Sequence, residues 1–482
     1  MRKIQVTNTL SGRKEPLSLR DPASNHIRIY ACGVTVYDEC HIGHAMQAIY
    51  FDVIRNYLKY CGYRVTYVRN YTDVDDKIIQ RASERGISPL KLSADMIASS
   101  IEDMKALGVA PADMEPKVSE HIPEIIAMVQ EIIAKGFAYA TKDGDVYFRV
   151  RKKLDYGKLS NRKPDDMRSG SRAITSGDKE DELDFALWKA DSSSEATWDS
   201  PWGRGRPGWH IECSAMACKH LGKSFEIHGG GRDLVFPHHE NEIAQSEAAN
   251  SAPYATHWIH SGLLTINHQK MSKSLGNHIT IKKFLEKWPP EVLRLGFLAN
   301  HYQSNIDFSL AVFQTCMKRL LYYYEGFTAL EKYSDQVTSD LDQRLIEEFH
   351  EAMSDDFNTA SAIGVLNKNF KLAREMTTQK KSPDKQKKAA AMAASLRSVG
   401  QVLGLFKAEP AVEIVRLKRL LLVDLNVTEA EVNAAMEQRQ NARKSKDFAT
   451  SDRIRDEMSA KGIELRDTPE GPAWGIRLTD EV

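Results

Sequence analysis

Net charge is the first thing this sequence lacks. Its 66 lysines and arginines stand against 66 aspartates and glutamates, so the formal charge at pH 7 is zero. Bulk attraction to a polyanion is therefore excluded, and any nucleic-acid contact has to come from local patches. No apolar run approaches the ~18 residues of a membrane-spanning helix, and Met1-Arg2-Lys3 opens no signal-peptide pattern. A membrane partner is not expected. Cysteine is scarce: the six residues at 32, 40, 61, 213, 218 and 316 lack the spacing of a disulfide-stapled small domain. They fit a reducing, cytoplasmic setting, with thiols kept for packing or metal. No internal repeat is evident, which excludes a solenoid.

What is present is enough for several cores. A chain of 482 residues is too long for one compact domain. Residues 26–72 read as one βαβ unit. Ile27 and Ile29 alternate as in a strand, Met46, Ile49, Val53 and Tyr57 recur at helical spacing, and Gly62 ends that helix. Arg64 to Tyr71 is β-rich. This pattern predicts a parallel sheet with crossover helices, which binds ligands at the C-terminal ends of its strands. Residues 115–200 interrupt it with a helical stretch from Ile122 to Ala134. A hairpin follows, with Asp143-Gly144 between Phe137–Tyr139 and Val146–Phe148, and then a polar loop over 160–182. The sheet resumes at Phe225–His228, and Gly229-Gly230-Gly231 is expected as a turn. From Phe313 to Leu405 spacings such as Leu320, Tyr324 and Phe327 predict a helical bundle. The last 70 residues predict helices from Thr428 to Ser445 and near Phe448 to Ala460, then a short β-rich end at Trp474.

Two short words carry chemistry. His41-Ile42-Gly43-His44 stands where the first strand gives way to the first helix, and Lys270-Met271-Ser272-Lys273-Ser274 lies about 230 residues later. A helix N-terminus offers unpaired N–H groups and a positive dipole end to phosphate. Gly43 leaves room for a ring or ribose to approach the backbone. The two lysines supply movable positive charge for a departing pyrophosphate. Cys32, Cys213, His238 and Glu242 are metal-ligand types. His238 and Glu242 lie four apart after Pro237, expected as a first helical residue, which puts both on one helix face. Sulfur, nitrogen and carboxylate donors suit Zn²⁺ better than Mg²⁺ or Ca²⁺. The residues alone leave open the alternative of two core cysteines and a surface helix.

The paired words resemble the signatures of class I aminoacyl-tRNA synthetases. Ala31-Cys32-Gly33-Val34-Thr35-Val36-Tyr37-Asp38, Gly205-Arg206-Pro207-Gly208-Trp209-His210-Ile211-Glu212-Cys213 and Pro237-His238-His239-Glu240-Asn241-Glu242 are similar to the cysteinyl-tRNA synthetase family, from about Gln5 to Trp474. That resemblance implies an α/β fold: a Rossmann-like parallel-sheet domain split by an insertion, then a helical bundle and a small C-terminal α/β anticodon-binding unit. The divisions expected are 1–115 and 201–312 for the two halves, 116–200 for the insertion, 313–408 for the tRNA-binding bundle and 409–482 for the terminal unit. It implies catalysis by His41, His44, Lys270 and Lys273, ATP binding by these with Gly43, and a substrate pocket at Gly33, Thr72 and Trp209. It further implies one Zn²⁺ on Cys32, Cys213, His238 and Glu242, with Mg²⁺ arriving with ATP and no dedicated all-protein site for it. The partners implied are L-cysteine, ATP and tRNA(Cys), and the expected state is a monomer.

The activity expected is formation of cysteinyl-adenylate and transfer of cysteine to the 3′ end of tRNA. The alternatives are a ligase joining activated cysteine to an amino sugar and a non-catalytic zinc-containing RNA-binding protein. His210 and His239 are open between support for the metal and a structural role. Cys40, Cys61, Cys218 and Cys316 are expected in packing. Trp474 is open between an RNA base and the core. Arg439, Arg443, Lys444, Lys446, Arg453 and Arg455 form a candidate phosphate patch, whose alternative is a solvated face with intrahelical ion pairs.

Overall fold

A computed structural model describes residues 2–167, 179–266, 278–334, 338–468 and 471–477, together with the backbone of Gln269 and Lys270. Its centre is a four-stranded, wholly parallel sheet in the order Ala255–Ser261, Phe225–Gly231, His26–Thr35, Arg64–Thr72. The first strand in sequence is internal. Its partners lie on opposite sides, so the strand order reverses beside it and a crevice opens at its C-terminal end. The helix Ile42–Tyr60 starts at that crevice.

Period-two alternation sorts the strand His26–Thr35 between two cores. Ile27, Ile29 and Ala31 pack with Ile49, Phe51 and Val53 of the Ile42–Tyr60 helix. Tyr30 and Cys32 face the other way, with Ile211, Cys213 and Met216 of the helix Trp209–Leu221. The same alternation thus aims Cys32 toward the helix that carries Cys213.

The interruption forms its own layer. Helix Ile122–Ala134 is present at the expected bounds, followed by an antiparallel sheet of Ala138–Ala140, Val146–Phe148, Phe185–Ala190 and Gly205–Pro207. Pro164–Met167, inside the expected loop, is a short helix. A small sheet pairs Leu264–Ile266 antiparallel with Gln269–Lys270 and parallel with Ile306–Phe308. Helices Leu310–Tyr333, Gln343–Ser354, Thr359–Thr377 and Pro383–Leu403 make the bundle, and Pro410–Asp424, expected in the terminal unit, packs along Leu310–Tyr333. Helices Glu429–Lys444 and Phe448–Ala460 and the hairpin Ile463–Thr468/Gly471–Ile476 form the terminal unit. Thr428 caps the first of these through a reciprocal bond with Glu431. No helix among the described residues is long and apolar enough to cross a membrane.

Two expectations need correction. Gly229, Gly230 and Gly231 are not a turn but the end of a strand, paired with Ile259, His260 and Ser261. They are glycines because helices press on that strand: a Cβ on Gly229 would sit 2.0 Å from Phe51 Cζ, and one on Gly230 2.7 Å from His239 Cε1. Pro237 is not a first helical residue. It lies in the wider turn Val235–His239, and the regular helix runs Glu240–Asn250.

Candidate active site and metal centre

At the start of the Ile42–Tyr60 helix the backbone fixes two imidazoles. The Gly43 N–H donates to His41 Nδ1 at 3.1 Å, and the His41 N–H donates to His44 Nδ1 at 3.3 Å. Both Nδ1 atoms are acceptors, so each ring carries its proton on Nε2. The rings stack at 3.7 Å. Burial, with His278 nearby, pushes His44 down to about 4, so it is neutral at pH 7. The segment after the second word is stitched alongside: Ile42 N donates to Ile279 O at 3.1 Å and Ile281 N to Cys40 O at 3.0 Å. The side chain of Lys270 and all of Lys273 lie outside the described residues.

One strand end away, four side chains from three segments converge. Cys32 Sγ lies 3.7 Å from Cys213 Sγ, 3.5 Å from His238 Nε2 and 3.2 Å from Glu242 Oε1. His238 Nε2 lies 3.1 Å from Glu242 Oε1. All four residues are buried, and this set could hold a metal ion. The surroundings aim the donors. His210 Nδ1 holds His238 Nδ1 at 2.9 Å, while His228 Nε2 and Tyr254 OH hold Glu242 Oε2 at 2.9 and 3.1 Å. The other atom of each ligand is left facing the cysteines. The hydrogen bond from Cys32 lowers the Cys213 thiol below its ordinary range against the opposing effect of burial. Burial disfavours charge on Glu242, yet His228 and His238 hold its carboxyl well below the usual range.

A polar chain ties this cluster to Gly33 and Thr72, two of the three expected pocket residues. Gly33 N donates to Asn70 Oδ1 at 2.9 Å, Asn70 Nδ2 donates to Thr72 Oγ1 at 3.3 Å, and Cys213 Sγ lies 3.8 Å from Asn70 Oδ1. Gly33 has no room for a side chain, since a Cβ there would meet Asn70 O at 1.6 Å. Trp209 stacks on His238 at 4.2 Å with 37% of its surface exposed, so it forms a wall over the cluster. Gln47 Nε2 donates to Cys32 O at 2.7 Å.

Sequence reasoning did not single out Asn70, Gln47, His228, Tyr254 or His260. The signal for Asn70 is a buried asparagine near the end of the strand Arg64–Thr72, two residues before Thr72. His239 bonds His260 Nε2 through Nδ1 at 2.7 Å, and His260 in turn contacts Thr9. Cys40 is buried against Ser100, and no cysteine forms a disulfide.

The terminal patch is largely occupied by its own carboxylates. Asp467 takes both Arg439, at 2.9 and 2.8 Å, and Arg443, at 2.8 Å. Arg453 pairs with Glu457, and Arg455 with Asp452 and Asp456. Trp474 packs partly buried under Lys418, whose Nζ lies 5.2 Å from the ring centre.

Comparison with known proteins agrees with this architecture. The chain matches the class I (C) tRNA synthetase catalytic domain over residues 19–318, the DALR domain over 348–407 and the cysteinyl-tRNA ligase anticodon binding domain over 427–474. It is 48% identical over 482 residues to the cysteine–tRNA ligase of Syntrophotalea carbinolica, covering 98% of this chain and 100% of that one. Identity to the Geobacter metallireducens enzyme of the same name is 47% over 486 residues, covering 98% and 100%. The fold resembles Mycobacterium tuberculosis methionyl-tRNA synthetase in complex with methionyl-adenylate. The TM-score is 0.57 at 14% identity, covering 83% of this chain and 92% of that one. With its parallel-sheet catalytic unit, its convergent thiol–imidazole–carboxylate cluster and full-length relatives of one name, the chain belongs to the cysteine–tRNA ligase family of class I aminoacyl-tRNA synthetases.

Proposed function

We propose that this enzyme activates L-cysteine with ATP at the crevice between His41–His44 and the Cys32/Cys213/His238/Glu242 cluster, then passes it to the 3′ end of tRNA(Cys). The observation that carries the reading is that a thiol–imidazole–carboxylate metal set and a phosphate-suited helix N-terminus meet at the C-terminal end of one strand, His26–Thr35. The cysteine carboxylate attacks the α-phosphorus of ATP and pyrophosphate leaves. The terminal ribose hydroxyl of tRNA then attacks the adenylate carbonyl and AMP leaves. The chain contributes position and charge rather than a covalent nucleophile. His41 and His44 direct their Nε2–H groups at phosphate oxygens. Lys270 and Lys273 close over the departing pyrophosphate, where Mg²⁺ accompanies ATP. Gly33, Thr72 and Trp209 enclose the amino acid.

The metal is proposed as one Zn²⁺ per chain. The donor set fits the ion: Cys32 and Cys213 bring their sulfurs to 3.7 Å, and His238 and Glu242 add an imidazole and a carboxylate beside them. When bound, zinc takes a substrate thiolate readily and a hydroxyl poorly, which separates cysteine from serine where a pocket contact alone supplies only about 1–3 kcal/mol. We also infer a cytoplasmic monomer, and the six unpaired thiols suit a reducing compartment. Transfer to an amino sugar is disfavoured by the terminal unit, which that chemistry does not need.

The deciding experiment is cysteine-dependent exchange of pyrophosphate into ATP, run beside charging of tRNA(Cys). Both should be present. Exchange without charging would favour the amino-sugar ligase, and neither activity would leave a binding protein.

A further inference from the structure

Away from the crevice, a buried ion cluster joins the Ile42–Tyr60 helix to the bundle. Asp52 and Arg55 are each 3% exposed and Arg294 is 1% exposed. Asp52 Oδ2 accepts both Nη atoms of Arg294 at 3.0 Å, while Asp52 Oδ1 accepts Arg55 Nη2 at 2.8 Å and Ala110 N at 3.3 Å. Two guanidiniums face one carboxylate, so one positive charge is in surplus. Backbone carbonyls take it up. Arg55 reaches Pro111 O at 2.6 Å, and Arg294 reaches Gly108 O at 3.3 Å and Leu403 O at 3.1 Å. Leu403 ends the bundle helix Pro383–Leu403, where carbonyls lack helical partners and carry the negative end of the dipole. The chain turns there at Gly404, with φ at +70°, and a Cβ on it would lie 2.3 Å from Arg294 Nη1.

Arg294 therefore ties three parts together with one planar fork. They are the helix that begins at His41 and His44, the helix Pro290–Leu298 that follows the second signature word, and the last carbonyl of the bundle helix. Burying such an ion cluster is not an efficient source of stability, because apolar replacements often match or exceed it. What a planar, multi-donor guanidinium provides better than an apolar contact is fixed orientation. Other bonds hold the two units in contact, such as Tyr60 OH with Ser398 Oγ at 3.4 Å. Docking as such does not depend on Arg294 alone.

We propose that Arg294, held by Asp52 and admitted by Gly404, is a positioning residue for the transfer half-reaction. It sets the angle between nucleotide domain and bundle, and with it where a tRNA seated on the bundle presents its 3′ end. The inference rests on the reading of the chain as a tRNA-charging enzyme. Formation of the adenylate uses the crevice alone and does not need this angle.

The test uses the full-length enzyme with Arg294→Lys, which keeps the charge and loses the fork, and Gly404→Ala, which crowds the guanidinium. Three readouts are taken: cysteine-dependent pyrophosphate exchange, single-turnover transfer from preformed adenylate at saturating tRNA, and thermal unfolding. Both variants should keep exchange within about twofold of wild type while transfer slows about tenfold or more. Parallel loss of exchange and transfer, tracking a lower melting temperature, would overturn the proposal and make the cluster a fold support. Unchanged transfer in both variants would overturn it as well. If Arg294→Lys does not fold, Gly404→Ala decides alone. Absence of charging by the wild-type chain would refute the functional reading instead, so the two failures are distinct.

Discussion

His210 Nδ1 and His238 Nδ1 lie 2.9 Å apart, and that contact turns His238 so that its Nε2 faces Cys32. If Nε2 binds metal through its lone pair, His238 carries its proton on Nδ1 and donates it to His210. Partners of this kind typically contribute about 10–100-fold in metal affinity. His210→Ala should therefore weaken metal retention by that order while leaving all four donors in place. Cys213→Ser and His238→Ala should weaken it further. Metal analysis of purified protein, with and without a chelator challenge, checks both. Full zinc in a Cys213→Ser/His238→Ala double variant would remove the assignment.

Serine should be rejected by several orders of magnitude in pyrophosphate exchange, with no serine-dependent loss of ATP. On the proposed reading, discrimination rests on sulfur bound to metal and not on the size of the pocket behind Trp209. Serine activated and then hydrolysed by the same chain would point to an editing site instead.

If Lys273 acts on the developing pyrophosphate as proposed, Lys273→Ala should lower the adenylation rate more than it raises the KM for cysteine. Steady-state exchange at varied cysteine separates the two. An unchanged kcat with a raised KM for cysteine alone would take Lys273 out of this role.

Asp103, on the helix Pro89–Ala106, is 3% exposed, and its Oδ2 has no hydrogen-bond partner among the described residues. Burial pushes its carboxyl up from 3.8 to about 6, with Lys282 opposing and Glu39 and Glu102 adding. An acid whose folded value is raised binds its proton more tightly folded than unfolded. Its contribution to stability therefore improves as pH falls from about 7 through 6 toward 4, and the charged form is a constant penalty above that window. Asp103→Asn should stabilise the protein by roughly 1–2 kcal/mol at about pH 8 and by almost nothing near pH 4. Denaturant midpoints at the two pH values measure it, and an equal effect at both would show that the carboxyl is not the cause.

Local signals explain what was legible from residues alone. Apolar spacing within a dozen residues places the helix Ile122–Ala134, and Thr428 with Glu431 marks the start of another. The strand-to-helix change at His41 is equally local. So is the four-residue step from His238 to Glu242, which survives although the helix begins later than Pro237 suggested. By itself, then, the sequence determined the strongly periodic elements, the family and the types of donor at the site.

Contacts between distant segments were decided only by tertiary structure. Cys32 meets Cys213 across 181 positions because a parallel sheet and its crossover helix bring them together. Gly229–Gly231 read as a turn because glycine favours turns, but Phe51 and His239 pressing on the strand are what require it there. Arg439 and Arg443 show no partner in sequence, and only the returning hairpin brings Asp467 to them. Arg294 shows no pattern in sequence at all, since its partners Asp52, Gly108 and Leu403 come from three separate stretches. Periodicity and capping act over a few residues, whereas which charge meets which is set by how whole elements pack.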